Sequence, residues 1–391
     1  MNRRRFLALA AATSVAGCNQ GGPSTEGQPT DTPTSTGTGT AAQTATPGTT
    51  DAPADDTPEE TTTGDEPVSR PLRLDRTNYG VALSPRSYSG DDFTEFFDRA
   101  SETGTLVRSG GPWAELGNPE SGGTAVARLA GEFDYTPVVE VNVFAGSSGE
   151  LNRPLTEETI EENVELARAF AIEHRPAFLG LGVEVDTFYR ENPDAFQRYV
   201  TLVKVAAQAV KDAVPETTVG VGFQLERLRG LRGGIFGGEN DPDDANWELL
   251  DVFPSVDVFT FTTFPGMIYT DPADIPDDYY TSVFDRVDRP VGITETGWTA
   301  ETVVQGWESS EAKQARYVER LFELTADVDL ALAIWSFVYD QPGTPTAFET
   351  MSLRRADGSP RPAWDAWVDG VASAGNRVGT LEGTGSSTRH D

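Results

Sequence analysis

Two glutamates close two apolar runs of the sequence, Glu184 in "GLGVEVD" and Glu295 in "VGITETGW". Two carboxylates held near each other push their pKa values apart, so one stays protonated while the other is charged. Such a pair can deliver a proton and stabilise or trap a developing positive charge. Other catalytic groups are scarce. The 391 residues include two histidines and one cysteine, against 62 aspartates and glutamates. His174 lies in "AIEHRP" and His390 in "STRHD", both read as solvated and structural. A Ser-His-Asp triad, a Cys-His pair or a His-ligated metal would need residues this chain barely has, so no metal and no cofactor are expected.

The elements that must position these acids are eight apolar runs: "NYGVAL", "TLVRSGGPW", "TPVVEVNVF", "AFLGLGVEV", "TTVGVGFQL", "VDVFTFTTF", "RPVGITETGW" and "LALAIWSFVY". Helical patterns separate them. In "DAFQRYVTLVKVAAQAVKDAV" Phe196, Val200, Val203, Ala207, Val210 and Val214 recur at steps of four and three. "TEETIEENVELARAFAIEH" and "SSEAKQARYVERLFELTADV" open with Thr or Ser followed by Glu, as an N-cap at the positive end of a helix dipole requires. Near-continuous apolar strands between helices imply a parallel sheet buried on both faces. Eight units in residues 71–370 predict a (β/α)8 TIM barrel, with an open doubly wound sheet as the alternative. No phosphate-binding glycine motif follows the first run. The glycine-rich "RGLRGGIFGG" after the fifth reads as a flexible loop on the active side.

In such a barrel the chemistry sits at the C-terminal ends of the strands. By alternation Gly180, Gly182 and Glu184 would project from one side of the fourth strand, the two glycines leaving the interior open beneath the acid. Asp186 follows in the same stretch.

"GLGVEVDTFY" and "ITETGW", an acid after the fourth strand and another after the seventh, resemble the clan of retaining glycoside hydrolases built on (β/α)8 barrels, most nearly its endo-β-1,4-galactanase-like members. "TTFPGMIY" at the sixth strand, "IWSFVYD" at the eighth and the close "SLRRADGSPRPAWDAW" extend the similarity over most of residues 71–370. The resemblance implies that Glu184 is the general acid/base and Glu295 the nucleophile, with Arg108 near the nucleophile and Trp335 flooring the sugar site. Retaining cleavage of an acetal needs those two carboxyls. Trp113, Trp298 and Trp335 offer faces for the C–H sides of sugars, or are plain core. Two positions depart from the family pattern: Val183 stands where Asn usually precedes the acid/base, and Phe264 where a Tyr often bonds the nucleophile. Tyr269 or Asp186 are candidates to compensate. The alternative is a barrel of the same kind that binds glycans at the cell surface without cleaving them. A two-lobed solute-binding lipoprotein is disfavoured by the count of eight units.

Residues 1–17, "MNRRRFLALAAATSVAG", combine an arginine cluster with a short apolar run and read as a twin-arginine export signal. "SVAGC" resembles a lipobox that would make Cys18 the lipidated first mature residue, the alternative being a plain secretory peptide. Residues 18–70 read as a disordered Thr/Gly/Pro/Asp-rich stalk and residues 371–391 as a disordered tail. The net charge of −32 argues against nucleic acid as a partner, since phosphate binding needs clustered Lys and Arg. With the lysines reduced to Lys204, Lys211 and Lys313, the acid excess fits a protein soluble at high salt, or an ordinary acidic secreted one. The expected molecule is a cell-surface monomer, held to the membrane by its lipid alone, with a carbohydrate as its partner.

Overall fold

The computed structural model describes residues 71–146, 148–303 and 307–383, the last eight of these as backbone only. The expected signal, Cys18 and the stalk lie outside the described residues. Eight strands, β1 (Asn78–Ala82), β2 (Leu106–Pro112), β3 (Thr136–Asn142), β4 (Phe178–Gly180), β5 (Thr218–Gln224), β6 (Val258–Thr263), β7 (Val291–Thr296) and β8 (Leu330–Trp335), pair in chain order to form a closed barrel. Every pairing is parallel, and β1 closes on β8 from Asn78↔Leu332 to Val81↔Trp335. The helices are α1 (Gly90–Thr103), α2 (Gly122–Phe133), α3 (Glu157–His174), α4 (Val185–Glu191), α5 (Pro193–Ala213), α6 (Leu225–Leu228), α7 (Thr281–Phe284), α8 (Glu311–Leu324), α9 (Thr346–Glu349) and α10 (Pro362–Gly383). The fold is the (β/α)8 barrel the sequence predicts.

The strands read as unbroken apolar runs because both faces are covered. Leu106, Val138, Phe178, Val258, Leu332 and Ile334 fill the barrel interior, while a larger cluster packs between strands and helices. The expected caps form: Thr156 accepts from the Thr159 amide at the start of α3, and Ser310 from the Lys313 amide at α8. On α5 the apolar stripe is wider than the four-and-three pattern. It buries Tyr199, Leu202 and Ala206 as well, and leaves Val200 only partly covered.

Two boundaries differ from the sequence reading. The fourth run leaves the sheet at Gly180, so Glu184 is not on a strand. At the other end α10 continues to Gly383, past residue 370, because Val371 still packs on the core and the Trp367 indole donates to the Thr103 carbonyl at 2.9 Å. Among the described residues no helix is long and apolar enough to cross a membrane.

Candidate active site

Arg108 projects from β2 into the barrel mouth and is gripped by two carboxylates. Its Nε donates to Glu140 Oε2 at 2.5 Å, and its Nη2 lies 2.5 Å from Glu295 Oε1. Glu140, on β3, is fully buried, and its register partner on β4 is Gly180. A Cβ at Gly180 would lie 2.7 Å from Glu140 Cγ, so glycine there makes room for the acid. Burial pushes the Glu140 carboxyl up, opposed by the Arg108 guanidinium.

Glu295 reaches this cluster through an irregularity in β7. The register runs Phe261↔Ile293 and then Thr262↔Glu295, so β7 carries one residue, Thr294, beyond what β6 matches. Ile293 packs outward among the helices. Strict alternation would send Glu295 the same way, and the extra residue turns it inward instead.

Glu184 is positioned by a different device. It caps α4 with φ 57° and ψ 42°, a left-handed conformation that a non-glycine residue adopts at a cost of roughly 1–3 kcal/mol and that clusters at functional sites. The preceding residue is clamped: Asn142 Oδ1 accepts from the Val183 amide at 2.8 Å, and Asn142 Nδ2 donates to the Val183 carbonyl at 3.2 Å. Thr262 Oγ1 donates to Glu184 Oε1 at 2.8 Å. Thr262 is also the backbone register partner of Glu295 on β7. Burial pushes Glu184 up to about 8; Glu295 and Asp186 add to the rise, while Arg227 and the Thr262 hydroxyl oppose it. At neutral pH this carboxyl is protonated.

The two glycines below Glu184 do not both open the interior, as alternation would have it. Gly180 faces inward, but Glu140 fills its space, and a Cβ at Gly182 would meet the Tyr199 hydroxyl at 1.8 Å on the outer side.

The other expected site residues are more dispersed. Asp186 is buried under α4, where its Oδ1 accepts from the Gln224 amide at 2.7 Å, and burial raises its carboxyl to about 6. Phe264 is buried in a small apolar cluster with Met267, Phe337, Phe348 and Met351. Tyr269 packs edge-on to Tyr279, with ring centroids 6.0 Å apart, and its charged neighbours are Arg229, Glu226 and Asp278 rather than the two acids.

The three tryptophans are core. Trp113 donates to the Asn163 carbonyl at 2.9 Å, and Trp298 donates to Ser309 Oγ at 3.0 Å while packing on Tyr317. Trp335 does not floor the site. Its register partner Val81 faces the helix layer, and its fully buried ring packs between Tyr317 and Trp367.

Glu140, Asn142, Thr262 and Arg227 were missed. Glu140 had a signal, as the one charge inside the apolar "TPVVEVNVF". Glu226, fully buried, accepts from Thr263 Oγ1 at 2.7 Å, Tyr279 Oη at 2.6 Å and the Phe264 amide at 3.0 Å, and serves to pin the end of β6. Among the described residues no group of three or more His, Cys, Asp or Glu is placed to hold a metal ion.

Comparison with solved structures returns glycoside hydrolases. A family 39 enzyme from Bacteroides cellulosilyticus WH2 matches with TM-score 0.54 at 20% identity, over 78% of this chain and 65% of that one. The exo-β-1,4-mannosidase Op5Man5 from Opitutaceae bacterium strain TAV5 gives 0.55 at 17% identity, over 77% and 60%. The family 53 catalytic domain of Ignisphaera aggregans gives 0.54 at 15% identity, over 77% and 98%. This chain thus spans less than two thirds of the first two proteins. No protein-family model and no curated protein matches the sequence. At these identities the likeness shows the fold alone, a (β/α)8 barrel.

Proposed function

We propose that the domain hydrolyses glycosidic bonds of a saccharide with retention, Glu184 acting as acid/base and Glu295 as nucleophile. The observation that carries this reading is the asymmetry of the two carboxyls: burial keeps Glu184 protonated, while Glu295 is ion-paired to Arg108. In the first step Glu184 would give its proton to the leaving oxygen as Glu295 attacks the anomeric carbon. In the second, the Glu184 carboxylate would take a proton from the water that releases the sugar from Glu295. Arg108, itself anchored by Glu140, holds the nucleophile in place.

Val183 offers hydrogen bonds from its backbone alone, and the Phe264 ring lies among apolar side chains while its amide donates to Glu226. Those two positions support the second reading, glycan binding without cleavage. Reducing-end release from a polysaccharide panel in molar salt, by wild type and Glu295→Gln, separates the two. Release abolished by the substitution supports hydrolysis, and binding without release by wild type supports the alternative.

A surface location completes the proposal, resting on the export signal and Cys18. Cys18→Ser is expected to move the protein from the membrane fraction to the medium, and retention in the membrane would refute the lipid anchor.

A further inference from the structure

We infer that the saccharide is anionic, carrying a carboxylate or sulfate on the sugar at the leaving-group side of the scissile bond. This deepens the hydrolase reading and rests on it for the assignment of sides. From one helical turn past Glu184, a cavity of about 300 Å³ is lined by Thr187, Arg190, Glu191, Arg227, Arg232 and Phe236, with Gly238. The chain as a whole has 62 acids to 30 bases, so a lining with three arginines and one glutamate reverses the composition of the molecule.

The arginines are held in place with few direct ion pairs. Arg190 Nη2 and Arg232 Nη1 share a single carboxylate, Asp244 Oδ2, at 3.0 and 2.9 Å, and Asp244 lies outside the lining. Arg227 makes no ion pair within 4.0 Å among the described residues. Its Nη1 donates to Thr187 Oγ1 at 2.8 Å, and its guanidinium lies over the Phe236 ring at 5.3 Å. The nearby Asp186 accepts from the Gln224 amide through Oδ1, and its charge acts on Arg227 and Arg232 from a distance. Desolvation first, and then the Arg190 charge, hold Arg232 below the ordinary arginine value, as expected where cations crowd together.

The loop that carries Arg232, Phe236 and Gly238 is built to keep them at the cavity. "RGLRGGIFGG" has Gly230, Gly234 and Gly237 at φ 77°, 61° and 76°. Gly233 N donates to Asn240 Oδ1 at 2.8 Å, and Gly238 N to the Arg232 carbonyl at 2.8 Å. The loop expected to be merely flexible is cross-braced around the cavity.

The cavity's position names the subsite. Thr187 is one turn beyond Glu184, its amide donating to the Glu184 carbonyl at 3.0 Å. Arg227 acts electrostatically on Glu184, whereas the charge that pairs with Glu295 is Arg108. The acid protonates the leaving oxygen, so the sugar beyond it is the leaving group. Planar guanidinium forks suit carboxylate and sulfate oxygens alike.

The test is calorimetric binding by the full chain in molar potassium chloride, using pairs that differ only in charge: oligogalacturonides against their carboxyl-reduced forms, and a sulfated galactan against its desulfated form. The acidic member of at least one pair is expected to bind roughly tenfold or more tightly, and the pair that discriminates identifies carboxylate or sulfate. Arg227→Gln should erase that preference, and Arg227→Lys, checked for an unchanged melting temperature, should restore part of it. Equal affinity within both pairs, or no binding of either acidic member, overturns the inference. Acid-selective binding without reducing-end release upholds the anionic site and removes the hydrolase. Release confined to neutral glycans, unaffected by Arg227→Gln, does the reverse.

Discussion

Glu184→Gln is expected to stabilise the fold increasingly as pH rises. Burial moves the Glu184 carboxyl from 4.5 to about 8 in the folded chain, a difference of about 3.5 units. The unfolded chain titrates at the ordinary value, so between those two pH values the native state holds a proton that the unfolded state has lost. Stability then falls with pH at about 1.4 kcal/mol per unit. Below pH 4.5 both states are protonated and Glu184 has no effect; at pH 7 the loss is roughly 3 kcal/mol, and above the folded value it levels off near 5 kcal/mol. Glutamine cannot ionise, so the variant lacks this slope. The slope from Asp186 is common to both proteins apart from its coupling to Glu184. Urea denaturation in molar salt at half-unit steps from pH 5 to 9 reads the difference directly. Parallel stability curves for the two proteins would refute the claim that burial holds Glu184 protonated.

Thr262→Val removes the hydroxyl that donates to Glu184 and favours its charged form, so the alkaline limb of the pH–rate profile should move to higher pH; movement to lower pH would contradict the contact. Arg108→Met leaves Glu140 buried without its cation and should cost about 3–5 kcal/mol by urea denaturation, whereas Arg108→Met/Glu140→Met should recover most of that loss. A net charge of −32 should lower the melting temperature in dilute buffer relative to molar salt, and an unchanged midpoint by differential scanning calorimetry would count against screened repulsion.

The barrel was legible because both faces of each strand are buried, which makes each strand an apolar run, and the eight runs became the eight strands. Glu184 and Glu295 were legible as acids ending such runs. Their exact placement was not. Glu184 sits in a left-handed turn after a strand of three residues, and Glu295 faces inward only because Thr294 is extra to the register. Period-two counting cannot see either device. Trp335 failed as a sugar floor for a related reason: its neighbour Ile334 takes the interior and sends the indole to the helices. Arg227 escaped notice because its role depends on Thr187 and Phe236, which only the fold brings beside it.

The central claim is that Glu295 becomes covalently bonded to sugar during turnover, and peptide mass spectrometry of acid-quenched enzyme tests it most directly. With a saccharide that the wild type cleaves, the peptide containing Glu295 should gain the mass of one glycosyl unit, and Glu295→Gln should show no such gain. Turnover with no mass added at Glu295, releasing product of inverted configuration, would contradict the account.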